Sequence, residues 1–587
     1  MNQIFEKSEK QKDSANLKEV ELGSEFPWND EIATCLRDNS DSINIAHVAL
    51  EGRDEKTQAN KVALRFIGKS WPENQNDLRE ITYLELKRQC RRFAHALKKM
   101  GHHKGEVLFS LSPRTPEAYI TALGTMGAGL VFSPLFSAFG PEPVKARISK
   151  GNGKILFTLA SIYHKKIAPI REQLVSLESL IILDDDGSAA KIPNCHDFKK
   201  LLAEADEAVL FEKTQPEDLA LLHFTSGTTG QPKGAMHVHQ AVVYHKLSGK
   251  WALDLKADDV FWCTADPGWV TGTSYGIISP LCNGVTMIVD EADFEAKRWY
   301  EILQKFKVTV WYTAPTGLRM LMKVGEELAT KYDLSSVRFA ASVGEALNPE
   351  VVLWAKKNLN ILLHDNWWQT ETGGIMVSNY AGMDVRAGSM GKPVPGIELS
   401  LVKNQDGKIE EIQEAEAPGE LALKKGWPSM FRGYLGDEAR YAKCFVDGWY
   451  LSGDLARKDQ DGYFWFVGRS DDVIKSSGHL IGPFEVESAL MEHPQVLEAA
   501  VIGLPDPVIG EKVKAFVVLR KNFVASEERQ LEIMAYARKR LGVAIAPREI
   551  SFINSLPKTK SGKIMRRLLK ARELGLDEGD LSTMEKD

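Results

Sequence analysis

The chain has 587 residues, 43% hydrophobic and 26% charged, with a formal net charge of −6. That length exceeds a single hydrophobic core and implies about three or four structural units. The mild acidity gives no general reason to expect nucleic-acid or membrane binding, and no apolar run reaches the ~18 residues of a membrane span. The opening MNQIFEKSEKQKDS is polar and lacks the apolar core of a secretory signal. The first ~20 residues, and the acidic end after Glu573, are expected to be loosely ordered. Six scattered cysteines without a CxxC pair argue for reduced thiols in a cytoplasmic protein, not a zinc or disulfide framework.

In chain order, Gly105 to Ser112 predicts a strand, Pro116 to Met126 a helix and Gly129 to Phe136 a second strand. Lys154 to Thr158, Ser179 to Leu183, Leu219 to Phe224, Gly284 to Val289 and Thr309 to Tyr312 continue the rhythm. Such alternation predicts doubly wound α/β architecture. After about residue 385, short strands split by Gly and Pro suggest a small β-rich subdomain. From about 475 to 570 an α+β pattern follows, with strands AAVIGLPD and KAFVVLR and a charged helix around Glu527 to Leu541.

Residues 224 to 239, FTSGTTGQPKGAMHVH, cannot be helix or central strand. Gly/Ser/Thr loops are often only turns. The other reading is phosphate: Gly227 and Gly230 allow close backbone approach, so N–H groups can form an anion nest. Ser226, Thr228 and Thr229 add hydroxyl donors, and Lys233 adds a mobile charge. Pro232 before the lysine and Gly234 after it exclude the Walker pattern. His237 and His239 are read as structural or as lining the site, not as bases.

Other blocks are weaker alone. DNWWQTETGG (365–374) is either a core strand end with a turn, or an aromatic wall for a base beside Thr370 and a Mg²⁺-binding Glu371. DGWYLSGDL places Asp454 after a tight Ser-Gly turn, where one carboxylate could take both hydroxyls of a ribose. Arg469 in GRSDD precedes an Asp pair that is usually a solvated turn. PKTKSGKIMRR (557–567) taken alone could be a nucleic-acid tail.

Together these blocks, with SVGEALNP and GRSDDVIKSSGH, resemble the adenylate-forming superfamily of acyl-CoA synthetases, adenylation domains and luciferases from about residue 40 to 570. The doubled Trp and the segment DPGWVTGTSYG are most similar to the acetyl-CoA synthetase branch. The resemblance implies a large domain at 41–470, built of two doubly wound α/β subdomains and a small β-rich one. An N-terminal extension (1–40) precedes it and a small mobile α+β lid (471–587) follows. It implies a ligase that uses ATP, coenzyme A and Mg²⁺: a carboxylate attacks the α-phosphate, and the coenzyme A thiol then displaces AMP.

By position, Thr225 to Gly230 and Lys233 would wrap the β- and γ-phosphates. Gly344, Glu345 and Ala346, with Asp365 and Trp367, would hold adenine. Asn366, Trp368 and Gln369 would complete the nucleotide wall, Thr370 would reach the α-phosphate, and Glu371 would face Mg²⁺. Asp454 and Arg469 would hold ribose. Trp269, Val270, Thr271, Val343 and Trp368 would form the acyl pocket. Ser477 and Gly478 would border the pantetheine tunnel, with Lys165 and Lys166 as candidate coenzyme A contacts. Asp471 falls at the hinge, and Lys563 corresponds to the lid lysine that stabilises the adenylation transition state, so the basic run reads as one catalytic Lys563 beside a helix start at Ile564 to Leu569. The family also implies an acetyltransferase and a deacetylase acting on Lys563. One departure stands out: the branch usually has Arg where this chain has Leu480, and nearby Lys475 is the candidate substitute. Alternatives are a ligase for propionate or another carboxylic acid, and a non-catalytic nucleotide-binding module.

Overall fold

Strand Ile155–Leu159, ILFTL, is buried at every position. A continuous apolar run of this kind forms where helices cover both faces of a parallel sheet. The structure, a computed structural model, describes residues 3–18, 26–38, 41–51, 60–225, 232–405, 407–476, 479–559, 563–578, 581 and 584.

Among the described residues, two large sheets carry the chain. One runs, in spatial order, through Gly433–Tyr434, Lys233–Val238, Leu219–Thr225, Val131–Leu135, Val107–Leu111, Ile155–Leu159, Ser179–Leu183 and His196–Asp197. The second runs through Lys392–Pro393, Val377–Ser378, Leu363–Trp367, Phe339–Ser342, Val310–Thr313, Val260–Cys263, Thr286–Asp290, Val62–Ile67 and Leu78–Thr82. Their central strands are parallel; the second sheet is antiparallel at both edges, the first only at its Gly433–Tyr434 end. One hydrophobic cluster draws side chains from both sheets. An antiparallel sheet between Leu399 and Arg469 follows, built around Trp449–Lys458. A small C-terminal α+β domain, whose sheet centres on Val496–Asp506 and Gly510–Leu519, has apolar clusters of its own. The architecture is the expected large α/β N-terminal domain with a small C-terminal one. Asn348 of the large domain donates to Ser488 Oγ of the small one at 2.9 Å. No described helix is long and apolar enough to cross a membrane, and all six cysteines are free.

The structure corrects five local expectations. Residues 233–238, within a stretch read as unable to form a central strand, are a strand paired on both sides, with Gly433–Tyr434 and with Leu219–Thr225; Gly227, Gly230 and Pro232 all precede it. The N-terminus is not loose. Ile4–Phe5 pairs antiparallel with Val385–Arg386, and Ser8 caps helix Glu9–Ser14 with a capping box. Lys7 N–H donates to Asp384 at 2.9 Å, and its ammonium lies 2.9 Å from His364 Nε2. Burial lowers Lys7 to about 8. It pushes the buried His364 well below its usual range, so the imidazole accepts from Lys7 while its Nδ1–H donates to Ala340 O. Polar composition misread this segment because its partners lie far away in the chain. Residues 385–393, assigned to the β-rich part, instead pair with the N-terminus and with the second large sheet. Ser452-Gly453-Asp454 is not a turn but a bulge inside strand Trp449–Lys458, because the register against Gly419–Lys424 shifts there. The last helix begins at Arg566, not Ile564.

Removing residues 3–14 deletes this strap without touching the buried Leu17. At about 1 kcal/mol net per hydrogen bond, the large domain should lose about 2–4 kcal/mol. Calorimetry should show a transition lowered by roughly 3–5 °C. An unchanged transition would mean that the strap adds no stability.

Candidate active site

Phe339–Ser342 and Leu363–Trp367 are adjacent parallel strands, and their C-terminal ends deliver the site residues. Gly344 then turns the chain with φ +90°. Glu345 is held by Arg319 and by Thr316 Oγ1, the latter at 2.6 Å. Asp365 is buried; Oδ2 accepts from Leu347 N–H at 3.4 Å, and Oδ1 has no partner. Burial raises its pKa well above the carboxylate range.

Asp454 is the centre of the site. It lies directly opposite Arg469 in an antiparallel pair, and Arg469 Nη1 donates to its Oδ1 at 2.9 Å. Its Oδ2 accepts from the Trp367 indole at 2.9 Å and from Gln369 Nε2 at 2.7 Å. Gln369 is held in turn by Tyr450 O–H at 2.8 Å. The structure therefore brings Trp367, Gln369, Asp454 and Arg469 into one network. Burial lowers the pKa of Arg469, but the carboxylates of Asp454 and Asp471 outweigh it and raise the net value.

Lys233 begins the second arm of a hairpin, opposite Thr225. The loop residues Ser226, Gly227, Thr228, Thr229 and Gly230 lie outside the described residues. Burial lowers the half-buried Lys233, Arg440 lowers it further and Glu371 opposes both. Glu371 Oε1 accepts from Tyr434 O–H at 2.7 Å. Among the described residues no cluster of three or more His, Cys, Asp or Glu side chains could cage a metal. A single carboxylate beside a cationic phosphate site fits Mg²⁺, which keeps waters and shares its shell with substrate phosphates.

Trp368 N–H donates to Tyr312 O–H at 3.3 Å, and Tyr312 donates to Asn366 Oδ1 at 3.0 Å. The edge of Trp368 meets Tyr275 at 5.1 Å between ring centroids. Val343 is buried just past its strand. Val270 and Thr271 open helix Val270–Thr273, with Trp269 at its N-cap. The Trp269 ring lies on Phe136 and Phe139. Lys166 Nζ donates to Ser137 O at 2.5 Å, and Ser137 Oγ donates to Asp266 at 2.8 Å, which places Lys166 beside the Trp269 loop. Lys165 is exposed.

Ser477, Gly478 and the Leu480 side chain lie outside the description; the Leu480 backbone is directly opposite Lys475. Lys563 is exposed, and its N–H donates to Thr559 Oγ1 at 3.1 Å. The structure does not bring it to Thr370, Glu371 or Asp454. Two other cations of the basic run are paired, Lys558 with Glu498 at 2.6 Å and Arg566 with Glu487 at 2.7 Å. Sequence reasoning missed Tyr275, Tyr312, Tyr434 and Arg440. Only Tyr275 fell inside a quoted block, TSYG.

The model of the AMP-binding enzyme family matches residues 51–435, and that of the AMP-binding enzyme C-terminal domain matches 485–563. The chain belongs to the AMP-binding enzyme family. It is 43% identical over 573 residues, 97% of this chain and 98% of the relative, to an acetyl-coenzyme A synthetase of Bacillus subtilis (strain 168). It is 37% identical to the acetyl-coenzyme A synthetase of Pyrobaculum aerophilum, over 92% of this chain and 85% of that protein. Among solved structures, an anthranilate CoA ligase in complex with anthranoyl-AMP superposes with TM-score 0.81 at 28% identity, covering 91% of this chain and 98% of that one. A benzoate CoA ligase from Burkholderia xenovorans LB400 gives TM-score 0.76 at 27% identity over 90% and 99%.

Beneath the site of this family member lie histidines that carry no charge. His237 and His239 are both buried and pushed down to about 3, with burial as the leading cause in each. His237 Nδ1 lies 3.1 Å from Ser429 O, and His239 Nδ1 accepts from Ile45 N–H at 3.1 Å. Gly373 is required here, with φ +69° and Ser429 O 2.1 Å from where a Cβ would sit. The structural reading of these histidines holds. A folded pKa of about 3 against an unfolded ~6.5 means that stability is full above pH 6.5 and falls as pH drops toward 3. At pH 5 the loss is about 2 kcal/mol per histidine. His239→Asn, whose amide oxygen can replace Nδ1 as acceptor, should lose about 2 kcal/mol less than wild type between pH 6.5 and pH 5 in urea unfolding. Parallel pH profiles would sink this assignment.

Proposed function

We infer that the chain is an AMP-forming acetate–CoA ligase, which converts acetate, ATP and coenzyme A to acetyl-CoA, AMP and pyrophosphate through acetyl-adenylate. The observation that carries this is the convergence of Lys233 from the first large sheet, Glu371 just past a strand of the second and the Asp454–Arg469 pair of the antiparallel sheet. A triphosphate beside a ribose needs such a set: cations for phosphoryl oxygens, a carboxylate for a shared hard cation, and a polar pair at the sugar.

Displacement at phosphorus asks a protein mainly for position and charge. On this reading Lys233 and the loop 225–230 hold the β- and γ-phosphates, and Thr370 meets the α-phosphate. Glu371 holds Mg²⁺, which when bound would offset charge on the phosphate oxygens. The unpartnered Oδ1 of Asp365, kept protonated or neutralised by a polar group, serves adenine with Trp367 and the 344–346 turn. Asp454 and Arg469 present to ribose whichever lone pairs and N–H groups their mutual pairing leaves. Lys563, exposed in this orientation, reaches the α-phosphate only when the small domain turns about Asp471. We place the boundary there, with 41–470 as the large domain, 471–587 as the lid and 1–40 as an N-terminal extension. Ser477, Gly478 and Lys166 then face the coenzyme A arm. Exposure also leaves Lys563 open to an acetyltransferase and deacetylase, since acetylation would remove its charge. A cytoplasmic location fits the free thiols.

Lys563→Ala removes one charge about 4 Å from a phosphoryl oxygen, worth on the order of 4 kcal/mol at an effective dielectric of ~20. Adenylate formation should fall by about 10²–10³-fold, while thioester formation from supplied acetyl-adenylate stays near wild type. Equal losses in both half-reactions would remove Lys563 from this role.

Trp368 sets the chain length. An indole held by Tyr312 and Tyr275 is a rigid pocket floor that leaves room for a methyl or ethyl group. Trp368→Gly opens a cavity that each added substrate CH₂ can fill for up to about 0.8 kcal/mol, roughly fourfold per methylene. The kcat/KM optimum should move from acetate to acids of about four to six carbons. A variant that keeps the wild-type chain-length order would leave Trp368 as a packed core ring and count against acetate.

A further inference from the structure

Tyr434 is 5% exposed and belongs to no block that the sequence singled out. It sits in a two-residue strand, Gly433–Tyr434, paired antiparallel with Lys233–Val238 so that Tyr434 lies opposite Ala235. Lys233 is two residues from Ala235 and therefore on the same face. The register thus sets the Lys233 ammonium over the Tyr434 ring, 5.7 Å from its centroid. The phenol end reaches the other way, to Glu371 Oε1 at 2.7 Å. Glu371 is fixed from behind as well, since its carbonyl accepts from Phe431 N–H at 2.9 Å. Phe431 packs on the Tyr434 ring with centroids 5.0 Å apart. One side chain thus touches both the lysine and the carboxylate of the phosphate site, by two different physical contacts.

We propose that Tyr434 is a positioning residue for adenylation: its O–H fixes one oxygen of Glu371 and so leaves the other to hold the divalent cation that would accompany the nucleotide, and its ring restrains Lys233 on the same substrate. A tyrosine hydroxyl keeps its proton at neutral pH, so it serves as a donor to the carboxylate. A hydrogen bond to a charged acceptor is stronger than a neutral one and shorter-ranged in its geometry. Losing it frees Glu371 to rotate but leaves the carboxylate in place. The ring contact is separable, because Phe keeps the π face and loses only the hydroxyl.

This rests on Glu371 being the metal carboxylate, and the test separates the two claims. Mn²⁺ binding is followed by electron paramagnetic resonance with a non-hydrolysable ATP analogue, for wild type, Tyr434→Phe, Glu371→Gln and the double variant. Constants are read per folded molecule, with the folded fraction taken from circular dichroism, so lost stability does not pass for lost affinity. Tyr434→Phe should weaken Mn²⁺ about tenfold, as expected for a lost hydrogen bond to a charged group. The double variant should bind no worse than Glu371→Gln alone, because the hydroxyl acts only through that carboxylate. Wild-type Mn²⁺ affinity in Tyr434→Phe, with Glu371→Gln impaired, overturns the role of Tyr434 and leaves that of Glu371 standing. A further tenfold loss in the double variant also overturns it, since the hydroxyl would then act independently. An unimpaired Glu371→Gln overturns the metal reading itself, and this proposal with it.

Discussion

A carboxylate taken out of water must find donors, and Asp454 is 5% exposed. It finds three, from Trp367, Gln369 and Arg469. Each belongs to a different piece of the chain: a strand of the second large sheet, the turn that follows it, and the end of a strand in the antiparallel sheet. An uncompensated buried charge costs several kcal/mol, so none of the three pieces can move without exposing the others to that penalty. The mutual placement of Trp367, Gln369 and Arg469 in the candidate site follows from this one requirement. It also reaches the chain that leads to the small domain, because Arg469 lies 3.5 Å from Asp471.

Close to this charged layer lie four buried histidines. His223, His237, His239 and His245 are buried, and burial pushes all four below the ordinary imidazole range. Charges fixed above such a floor interact through a low local dielectric, and fixed dipoles need little reorganisation when charge moves at phosphorus. Neutral histidines below and paired cations above are two halves of the same electrostatic design.

The fold was legible wherever a pattern was local. The charged helix Glu527–Leu541 has the bounds expected of it, and the structure adds Ser526 as its N-cap; the buried parallel strands stand within two residues of their apolar runs. Trp367, Asp454 and Arg469 were legible because each sits in a block with Gly and polar residues at fixed spacing. Tyr434 and Tyr312 were not, since a lone tyrosine in an apolar stretch carries no spacing signal and its role is decided by what another strand brings to it. The Ser452-Gly453-Asp454 bulge was read as a turn because both use Gly at positive φ; only the register distinguishes them. Composition argued for a loose N-terminus because composition is blind to pairing across 377 residues.

That separation has a consequence for biosynthesis. Ile4 and Phe5 leave the ribosome well before their partners Arg386 and Val385, which follow some 380 residues later. At about 5–20 residues per second, the nascent strand waits on the order of 20–75 s, unpaired, while the sheets it will fasten are still being made. A segment synthesised early thus docks late. Its charged residues, Glu6, Lys7, Glu9, Lys10 and Lys12, keep an open strand edge soluble during that interval, as charges do on exposed edges generally.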